Sequence, residues 1–292
     1  MARFHGTGFS ENRGYFYQQG TSFWRVVSIM TTARWSDLPS RLYSALVLIV
    51  VGFWAVFYGG LFLLLAVSTL VSVMHFELAK MQSPYNSGAP MFSSLVGLTT
   101  LIILNYSTDW FLSFSVLVFS LFCQYFLLKT QKLAGVFYSM IIILGGIYFV
   151  ELRADFGILF LGWVICVVIV TDTFGYFGGR LIGGPKFFAS ISPNKTWAGI
   201  VSGWLGAIIC TYFFMGQKVF IDFMFSSQTL FLFAILLSFC SQIGDIFESF
   251  IKRKCNVKDS SNIIPGHGGF MDRFDGIIAA ILVCGILGPI FI

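Results

Sequence analysis

The chain has 292 residues, of which 57% are hydrophobic and only 11% are charged, and its mean hydropathy is +0.84. Soluble globular domains carry about 25% charged residues, so this composition excludes an ordinary soluble protein. The six cysteines stand singly and form no C-x-x-C pair, which also excludes a disulfide framework and a zinc site.

Residues 1–41 precede the first long apolar run and contain five arginines but only two acidic residues. We predict a cytoplasmic segment with an interfacial helix whose Arg25 and Arg34 lie at the lipid headgroups. The apolar face of that helix is predicted from Phe23, Val26, Val27 and Met30. An arginine-rich organellar presequence is the alternative interpretation.

Long apolar runs fill the rest of the chain, and most approach the roughly 20 residues that a membrane-spanning helix requires. We predict an all-α, polytopic integral membrane protein with about nine transmembrane helices, within a range of eight to ten. The predicted spans are residues 42–58, 60–77, 92–105, 109–128, 134–151, 157–176, 196–215, 227–248 and 276–292.

The placement of basic residues supports this topology. With nine spans and a cytoplasmic amino terminus, 16 of the 18 lysines and arginines fall on the cytoplasmic side, leaving Arg153 and Lys218 outside. Lysine and arginine accumulate on that side because they cross the membrane poorly. The predicted cytoplasmic segments are residues 1–41, 78–91, 129–133, 177–195 and 249–275.

The sequence therefore predicts three parts. They are the cytoplasmic segment 1–41, the amino-terminal transmembrane helices 42–151, and a transmembrane catalytic region 152–292 with cytoplasmic loops 177–195 and 249–275.

Five acidic residues stand within spans or at the start of the last one: Asp172, Asp245, Glu248, Asp272 and Asp275. An ionisable side chain at membrane depth costs about 2.5 kcal/mol or more, so it usually marks a functional site. All five lie near predicted cytoplasmic span ends, where the basic loops converge. A salt bridge between helices is the alternative interpretation for any one of them.

Helical spacing predicts which of these side chains lie together. Asp245, Glu248 and Lys252 share one helix face at positions i, i+3 and i+7, and Ser249 lies beside Asp245 at i+4.

Asp272 and Asp275 are also three residues apart, so both carboxylates face the same way if a helix starts near them. Two or three converging carboxylates, without cysteines or paired histidines, favour Mg²⁺ or Mn²⁺. The surrounding basic residues suit phosphate oxygens: Lys252, Arg253, Lys258 and Arg273. Three glycines would let backbone N–H groups approach a phosphate closely: Gly266, Gly268 and Gly269.

A second polar stretch reads TDTFGYFGGRLIGGPKFFASISPNKTW and contains Asp172 and Arg180. Ser192 followed by Pro193 predicts a helix N-cap with proline at the first helical position. That cap would place Lys195 in the opening turn of a span, where free N–H groups favour anions. A helix cap with one topology-setting lysine is the alternative.

These features together indicate a metal-assisted site for a multiply phosphorylated ligand. Ser249 and His267 lack the spacing of a nucleophile and its base, and the sequence contains no Walker loop. In-line displacement at phosphorus is the simplest chemistry for such a site.

At these residues the chain resembles the phosphatidate cytidylyltransferase (CDP-diacylglycerol synthase) family. The family's hallmark pattern is matched by Ser249, Lys252-Arg253, Lys258-Asp259, Ser261, Ile264-Pro265, His267-Gly268-Gly269, Asp272-Arg273 and Asp275. TDTFGYFGGR and SPNKTW resemble upstream family motifs, with Phe174 standing at a commonly small position and Ala198 at a commonly acidic or polar one. The resemblance covers residues from about 165 to 292, whereas the first 160 match only as apolar spans.

The resemblance implies a dimeric membrane enzyme that joins CTP to phosphatidic acid, giving CDP-diacylglycerol and pyrophosphate with a divalent metal. It implies a bacterial cytoplasmic membrane as the location, with the active site facing the cytoplasm. We expect membrane lipid and no nucleic acid as a partner.

Roles follow as hypotheses from the pattern and the resemblance. Asp245 and Asp272 would hold the metal, with Asp275 or Asp172 as a further ligand. The residues expected to act on the phosphates are Lys252, Arg253, Lys258, Asp259, His267 and Arg273. Those expected to bind substrate are Ser249, Lys195, Arg180, Gly268 and Gly269.

Two other interpretations stay open at this point. One is a CTP-using lipid kinase or a CDP-archaeol-type synthase, which the full 249–275 pattern disfavours. The other is a transporter with Asp172, Asp245 and Glu248 along an ion path, which the absence of an internal repeat disfavours. A CDP-alcohol phosphotransferase is excluded because Asp275-Gly276 lacks the rest of that family's D-G-x-x-A-R pattern.

Overall fold

The computed structural model describes residues 38–217 and 226–291. The predicted interfacial helix near Phe23 and the predicted outer residue Lys218 lie outside these ranges. The described chain forms nine α-helices: α1 Leu38–Tyr58, α2 Gly60–Gln82, α3 Ala89–Tyr106, α4 Trp110–Leu127, α5 Lys132–Asp155, α6 Gly157–Leu181, α7 Trp197–Phe214, α8 Ser227–Lys254 and α9 Met271–Phe291.

Eight of these helices, α1 to α8, are long and apolar enough to cross a membrane. The prediction of an all-α polytopic membrane protein is thereby confirmed, and each predicted span overlaps one helix. The ninth predicted span falls in α9. Its apolar part, residues 276–291, is shorter than the roughly 20 residues of a typical span.

Two compact units share the chain. Among the described residues, the smaller unit contains 38–49 together with Pro265–His267, and the larger unit contains 50–217, 226–264 and 268–291. The main hydrophobic core of the larger unit includes the fully buried side chains of Trp163 and Tyr138, and a smaller cluster contains Phe187, Ile200 and Ile246.

Close helix pairs bring the polar residues together. α8 packs along α9, and α6 packs along α7. Gly244 of α8 permits the first contact, since a β-carbon there would lie 2.9 Å from the backbone oxygen of Asp275 and 2.6 Å from Ala279 Cβ. Small residues let helix backbones approach closely in this way, which is how membrane helices pack.

The predicted outer residue Arg153 caps a helix. Its Nε donates to the backbone oxygen of Val56 at 2.7 Å, and its Nη2 donates to that of Phe57 at 3.1 Å. The last carbonyls of a helix lack partners within the helix, and a cation there also complements the helix dipole. This contact explains why Arg153 lies on the predicted non-cytoplasmic side, away from most of the other basic residues.

The predicted N-cap at Ser192 is wrong. α7 begins at Trp197, and its N-cap is Thr196, whose hydroxyl accepts from the Gly199 N–H at 3.1 Å. Pro193 instead lies in a turn closed by the Lys195 N–H and the Ser192 oxygen, a place that proline's fixed φ also favours. Lys195 therefore precedes the helix.

Two helices extend into segments that the sequence assigned to loops. α8 continues to Lys254, six residues beyond the predicted end at 248, and α6 continues to Leu181 instead of ending at 176. A helix can continue into polar residues when a neighbouring helix or loop continues to pack against it.

Candidate active site

One face of α8 carries four polar side chains, as the spacing predicted. Lys252 Nζ lies 2.9 Å from Glu248 Oε2, and the Ser249 hydroxyl donates to Asp245 Oδ1 at 3.4 Å. Each pair is four residues apart, so one turn of the helix brings its members together.

A cluster of three carboxylates forms where α9 meets this face. One oxygen each from Asp245, Glu248 and Asp275 lies within 4.8 Å of the others. Glu248 is buried, and its Oε1 has no hydrogen-bond partner among the described residues. A buried acceptor without a donor is costly, so this oxygen has the capacity to bind a cation.

The ionisation of Asp275 reflects this crowding. Burial, together with the nearby negative charge of Asp245, raises the pKa of Asp275 from 3.8 to about 7. A hydrogen bond with Glu248 and the positive charge of Lys252 act in the opposite direction. Near neutral pH this carboxyl is therefore only partly ionised in the absence of a cation.

The turn before α7 supplies a cation to the cluster. Lys195 Nζ lies 2.5 Å from Asp245 Oδ2, and it also approaches the backbone oxygen of Gln242 at 3.4 Å. Asp172, near the end of α6, interacts electrostatically with Asp245 and with Lys195. Arg180, the penultimate residue of α6, donates to the Tyr176 hydroxyl at 2.8 Å and is exposed.

Asp272 lies beside the cluster but has different partners. It accepts from Lys252 Nζ at 2.7 Å, from the Gly269 N–H at 2.9 Å, and from both the N–H and the hydroxyl of Ser260 at 3.0 Å. Although burial alone would raise the pKa of Asp272, these hydrogen bonds and the Lys252 charge lower it below its usual value. Asp272 is thus an ionised carboxylate whose acceptor sites are largely filled by the protein.

The loop between α8 and α9 is anchored by a residue that the sequence did not single out. Glu77, at the end of α2, has no exposed surface and accepts four hydrogen bonds from this loop and the start of α9. The donors are the Ser260 hydroxyl at 3.1 Å, the Ser261 hydroxyl at 2.5 Å, the Phe270 N–H at 3.0 Å and the Met271 N–H at 2.7 Å.

Two of the three glycines predicted to approach a phosphate, Gly268 and Gly269, are also required by the local backbone geometry and packing. Gly268 has φ +85°, which side-chain-bearing residues rarely adopt, and its oxygen accepts from the Ile264 N–H at 2.9 Å. A β-carbon at Gly269 would overlap the Ser260 hydroxyl and lie 2.6 Å from Glu77 Oε1. Because the Gly269 N–H already donates to Asp272, phosphate binding by this group stays a prediction.

Four residues predicted to act on the phosphates are exposed: Arg253, Lys258, Asp259 and Arg273. Their accessibility is what phosphate contacts would require, and their predicted roles stay predictions.

His267 belongs to the smaller unit. Its Nδ1 lies 2.8 Å from the Ser44 hydroxyl, which also approaches the Pro265 oxygen at 3.1 Å.

A second residue from the amino-terminal half lies beside the carboxylates. Tyr138 of α5 is 1% exposed, its ring centroid lies 5.8 Å from that of Phe247, and its hydroxyl has no hydrogen-bond partner among the described residues. It interacts electrostatically with Glu248 and Asp275.

Phe174 stands where the family commonly has a small residue, and Gly206 makes room for its ring. A β-carbon at Gly206 would come 2.7 Å from the Phe174 ring.

The structure brings Asp245, Glu248 and Asp275 together and places Lys195 against Asp245, and Glu77 binds the loop between α8 and α9. The functional roles predicted for these residues stay predictions. The sequence did indicate Glu248 as a candidate site residue, since it is an acid within a predicted span on the same helix face as Asp245. Glu77 carried only a weak signal, because it stands at the last position of a predicted span.

These features define a class: a polytopic membrane protein whose buried carboxylates and basic groups converge at the ends of its helices. Comparison with known proteins narrows the class, because the sequence model of the Cytidylyltransferase family matches residues 39–291. The chain belongs to this family and is a nucleotidyltransferase.

Two relatives cover nearly the whole chain. A phosphatidate cytidylyltransferase of Brucella abortus biovar 1 is 33% identical over 268 residues, spanning 88% of this chain and 95% of the relative. A phosphatidate cytidylyltransferase of Staphylococcus saprophyticus is 31% identical over 266 residues, spanning 85% of this chain and 97% of the relative.

Proposed function

We propose that this chain joins CTP to phosphatidic acid, giving CDP-diacylglycerol and pyrophosphate for phospholipid synthesis. The observation that carries the proposal is the full-length similarity to two phosphatidate cytidylyltransferases, combined with the assembly of the 249–275 pattern around three carboxylates. A transporter is disfavoured because the chain belongs to a nucleotidyltransferase family.

A divalent metal, Mg²⁺ or Mn²⁺, fits the carboxylate cluster. Support comes from the three oxygens within 4.8 Å, all of them hard ligands, and from the buried Glu248 Oε1, which has no donor in the described part of the chain. Asp245, Glu248 and Asp275 would hold the ion, with Asp172 close to Asp245 as an additional ligand. Asp272 stays a sequence-based candidate, but Lys252, Ser260 and Gly269 already bind its oxygens.

The chemistry proposed is in-line displacement. An oxygen of the phosphatidate phosphate forms a bond to the α-phosphorus of CTP as the bond between that phosphorus and the α–β bridging oxygen breaks, and pyrophosphate leaves. Both reactants are anions, so a bound metal would contribute charge neutralisation.

The chain's own residues would position the reactants and screen their charge. Arg253, Lys258 and Arg273 are exposed cations that would contact phosphate oxygens, and Lys195 would do so from the opposite loop. Lys252 holds Glu248 and Asp272 in place through its two ion pairs. A phosphate monoester is largely ionised near pH 7, so the reaction requires positioning more than a general base.

The enzyme would act as a homodimer in the bacterial cytoplasmic membrane, with the site on the cytoplasmic face. The excess of basic residues in segments that share one predicted side supports this orientation. Cysteine labelling from each side of sealed vesicles, at an introduced Lys258→Cys, tests the orientation, and native mass spectrometry tests the dimer.

The decisive assay incubates purified protein with labelled CTP, phosphatidate and Mg²⁺. We expect labelled CDP-diacylglycerol and one pyrophosphate per product, and both should fail to form in Asp245→Asn and Asp272→Asn proteins. Glu151→Gln is the matched control, because it changes an exposed acid near the carboxyl-terminal end of α5. Transfer to a different lipid, or no pyrophosphate release, would contradict the proposal.

A further inference from the structure

The amino-terminal half of the chain contributes one buried carboxylate to the region of the site. Glu77 lies on α2, far in sequence from the hallmark pattern, and its four hydrogen bonds all come from residues 260–271. No cation is paired with it among the described residues, so neutral hydroxyl and amide donors alone hold this acid.

We propose that Glu77 is a positioning residue for nucleotidyl transfer, which fixes the start of α9 and thereby the carboxylates that α9 carries. The inference rests on the proposed function. Glu77 touches neither substrate nor the reacting atoms, and it acts through Asp272 and Asp275.

The contact with α9 is a helix cap supplied by another helix. The Phe270 and Met271 N–H groups stand at the start of α9, where amides have no acceptor within the helix. A carboxylate there satisfies them and complements the positive end of the helix dipole. Asp272 is the next residue, and Asp275 lies one turn further on.

A continuous chain of contacts connects Glu77 with the cluster. The Ser260 hydroxyl lies 3.1 Å from Glu77 Oε2 and 3.0 Å from Asp272 Oδ2, so it joins the two carboxylates. Asp272 in turn binds Lys252, which binds Glu248. A displacement of Glu77 would therefore reach Glu248 in the carboxylate cluster through three intermediates, Ser260, Asp272 and Lys252.

The arrangement requires both carboxylate oxygens of Glu77 to act as hydrogen-bond acceptors. Oε1 accepts from Ser261 and from the Phe270 N–H, whereas Oε2 accepts from Ser260 and from the Met271 N–H. A hydroxyl can turn to become an acceptor, but a backbone N–H cannot. Glutamine would therefore place its NH₂ group against one of the two amides, although its size is nearly the same.

The test compares wild-type protein with Glu77→Gln and Glu77→Asp in detergent. For Glu77→Gln we expect the Mg²⁺ concentration for half-maximal CDP-diacylglycerol formation to rise about 10-fold or more, the range for residues that orient metal ligands. Glu77→Asp keeps both oxygens and should recover part of this loss. Hydrogen exchange at Phe270 and Met271 should accelerate in Glu77→Gln without any substrate present.

Ser93→Ala is the matched control, because Ser93 makes a buried 2.7 Å hydrogen bond to Gln124 in the same half of the chain. It should lower thermal stability without changing the Mg²⁺ midpoint. The inference is overturned if Glu77→Gln retains the wild-type midpoint and exchange rates, or if Ser93→Ala shifts the midpoint equally.

Should Glu77→Gln not fold, Ser261→Ala removes a single donor from the same carboxylate. Its Mg²⁺ midpoint must then rise, and an unchanged midpoint contradicts the inference. Inactivity of the wild-type protein towards CTP and phosphatidate would instead count against the proposed function, since the exchange measurement does not depend on it.

Discussion

Two groups of carboxylates lie near the start of α9, and they differ in the donors that each receives. Glu77 and Glu248 are buried, and the other members are half-buried. Glu77 and Asp272 accept hydrogen bonds from hydroxyls, amides and, for Asp272, a lysine. In the second group Asp245, Glu248 and Asp275 crowd one another, and one Glu248 oxygen has no donor among the described residues. A carboxylate filled by the protein's own donors fixes the backbone, whereas one left short of donors can bind a cation.

The largest effect is expected from Asp275→Asn, which removes a ligand from the second group. Activity should fall by on the order of 10³-fold or more, as for other catalytic groups. Thermal stability should be unchanged or higher, because the substitution also removes a charge that burial and the Asp245 charge disfavour. Loss of activity together with loss of folding would contradict the distinction between the two groups.

The next effect concerns Lys252, the cation shared by both groups. Lys252→Met leaves Glu248 and Asp272 buried without their cation, and removing one member of a buried ion pair costs about 3–5 kcal/mol. We expect a marked fall in the thermal unfolding temperature. Lys80→Met, at an exposed lysine near the end of α2, should leave it within error.

A smaller effect is expected from pH. Since the pKa of Asp275 is raised to about 7, this carboxyl is protonated below pH 7 and a cation must displace that proton. The apparent Mg²⁺ dissociation constant should therefore rise up to about 10-fold per pH unit below 7 and stay flat above it. Titration calorimetry at several pH values tests this, and a flat profile from pH 5.5 to 8 would contradict it.

The smallest effect lies at the turn that presents Lys195. Thr196→Ala removes the N-cap of α7 and should cost about 1 kcal/mol of unfolding free energy. Ser192→Ala, at the position that the sequence favoured as the cap, should cost much less. Equal losses in the two variants would restore the sequence-based assignment.

The sequence predicted the helices well because membrane spans are long and strongly apolar, and each predicted span overlaps a helix. It also predicted the face of α8, since that face depends only on the helical period. It could not predict which acids meet across helices, because the rotation of α9 against α8 depends on contacts such as Gly244. The sequence therefore favoured Asp272 over Glu248 as a metal ligand, whereas Glu248 lies in the carboxylate cluster and the role of Asp272 stays a prediction.

Ser192 illustrates the same limit at short range. A serine followed by proline is compatible with both a cap and a turn, and only the pairing of the Phe187 N–H with the Lys195 oxygen decides between them. Glu77 had no local pattern at all, because its partners lie more than 180 residues away in the chain.

The length of α8 has a consequence for where the two reactants can meet. At about 1.5 Å per residue, the 28 residues of α8 extend about 42 Å, while the hydrocarbon layer of a bilayer is only about 30 Å thick. Asp245 and Glu248 lie about 27 to 32 Å from its first residue, which is close to that thickness. A helix of this length that begins at one surface of the hydrocarbon layer would carry these carboxylates to the other surface, where lipid phosphates meet water and its dissolved nucleotide.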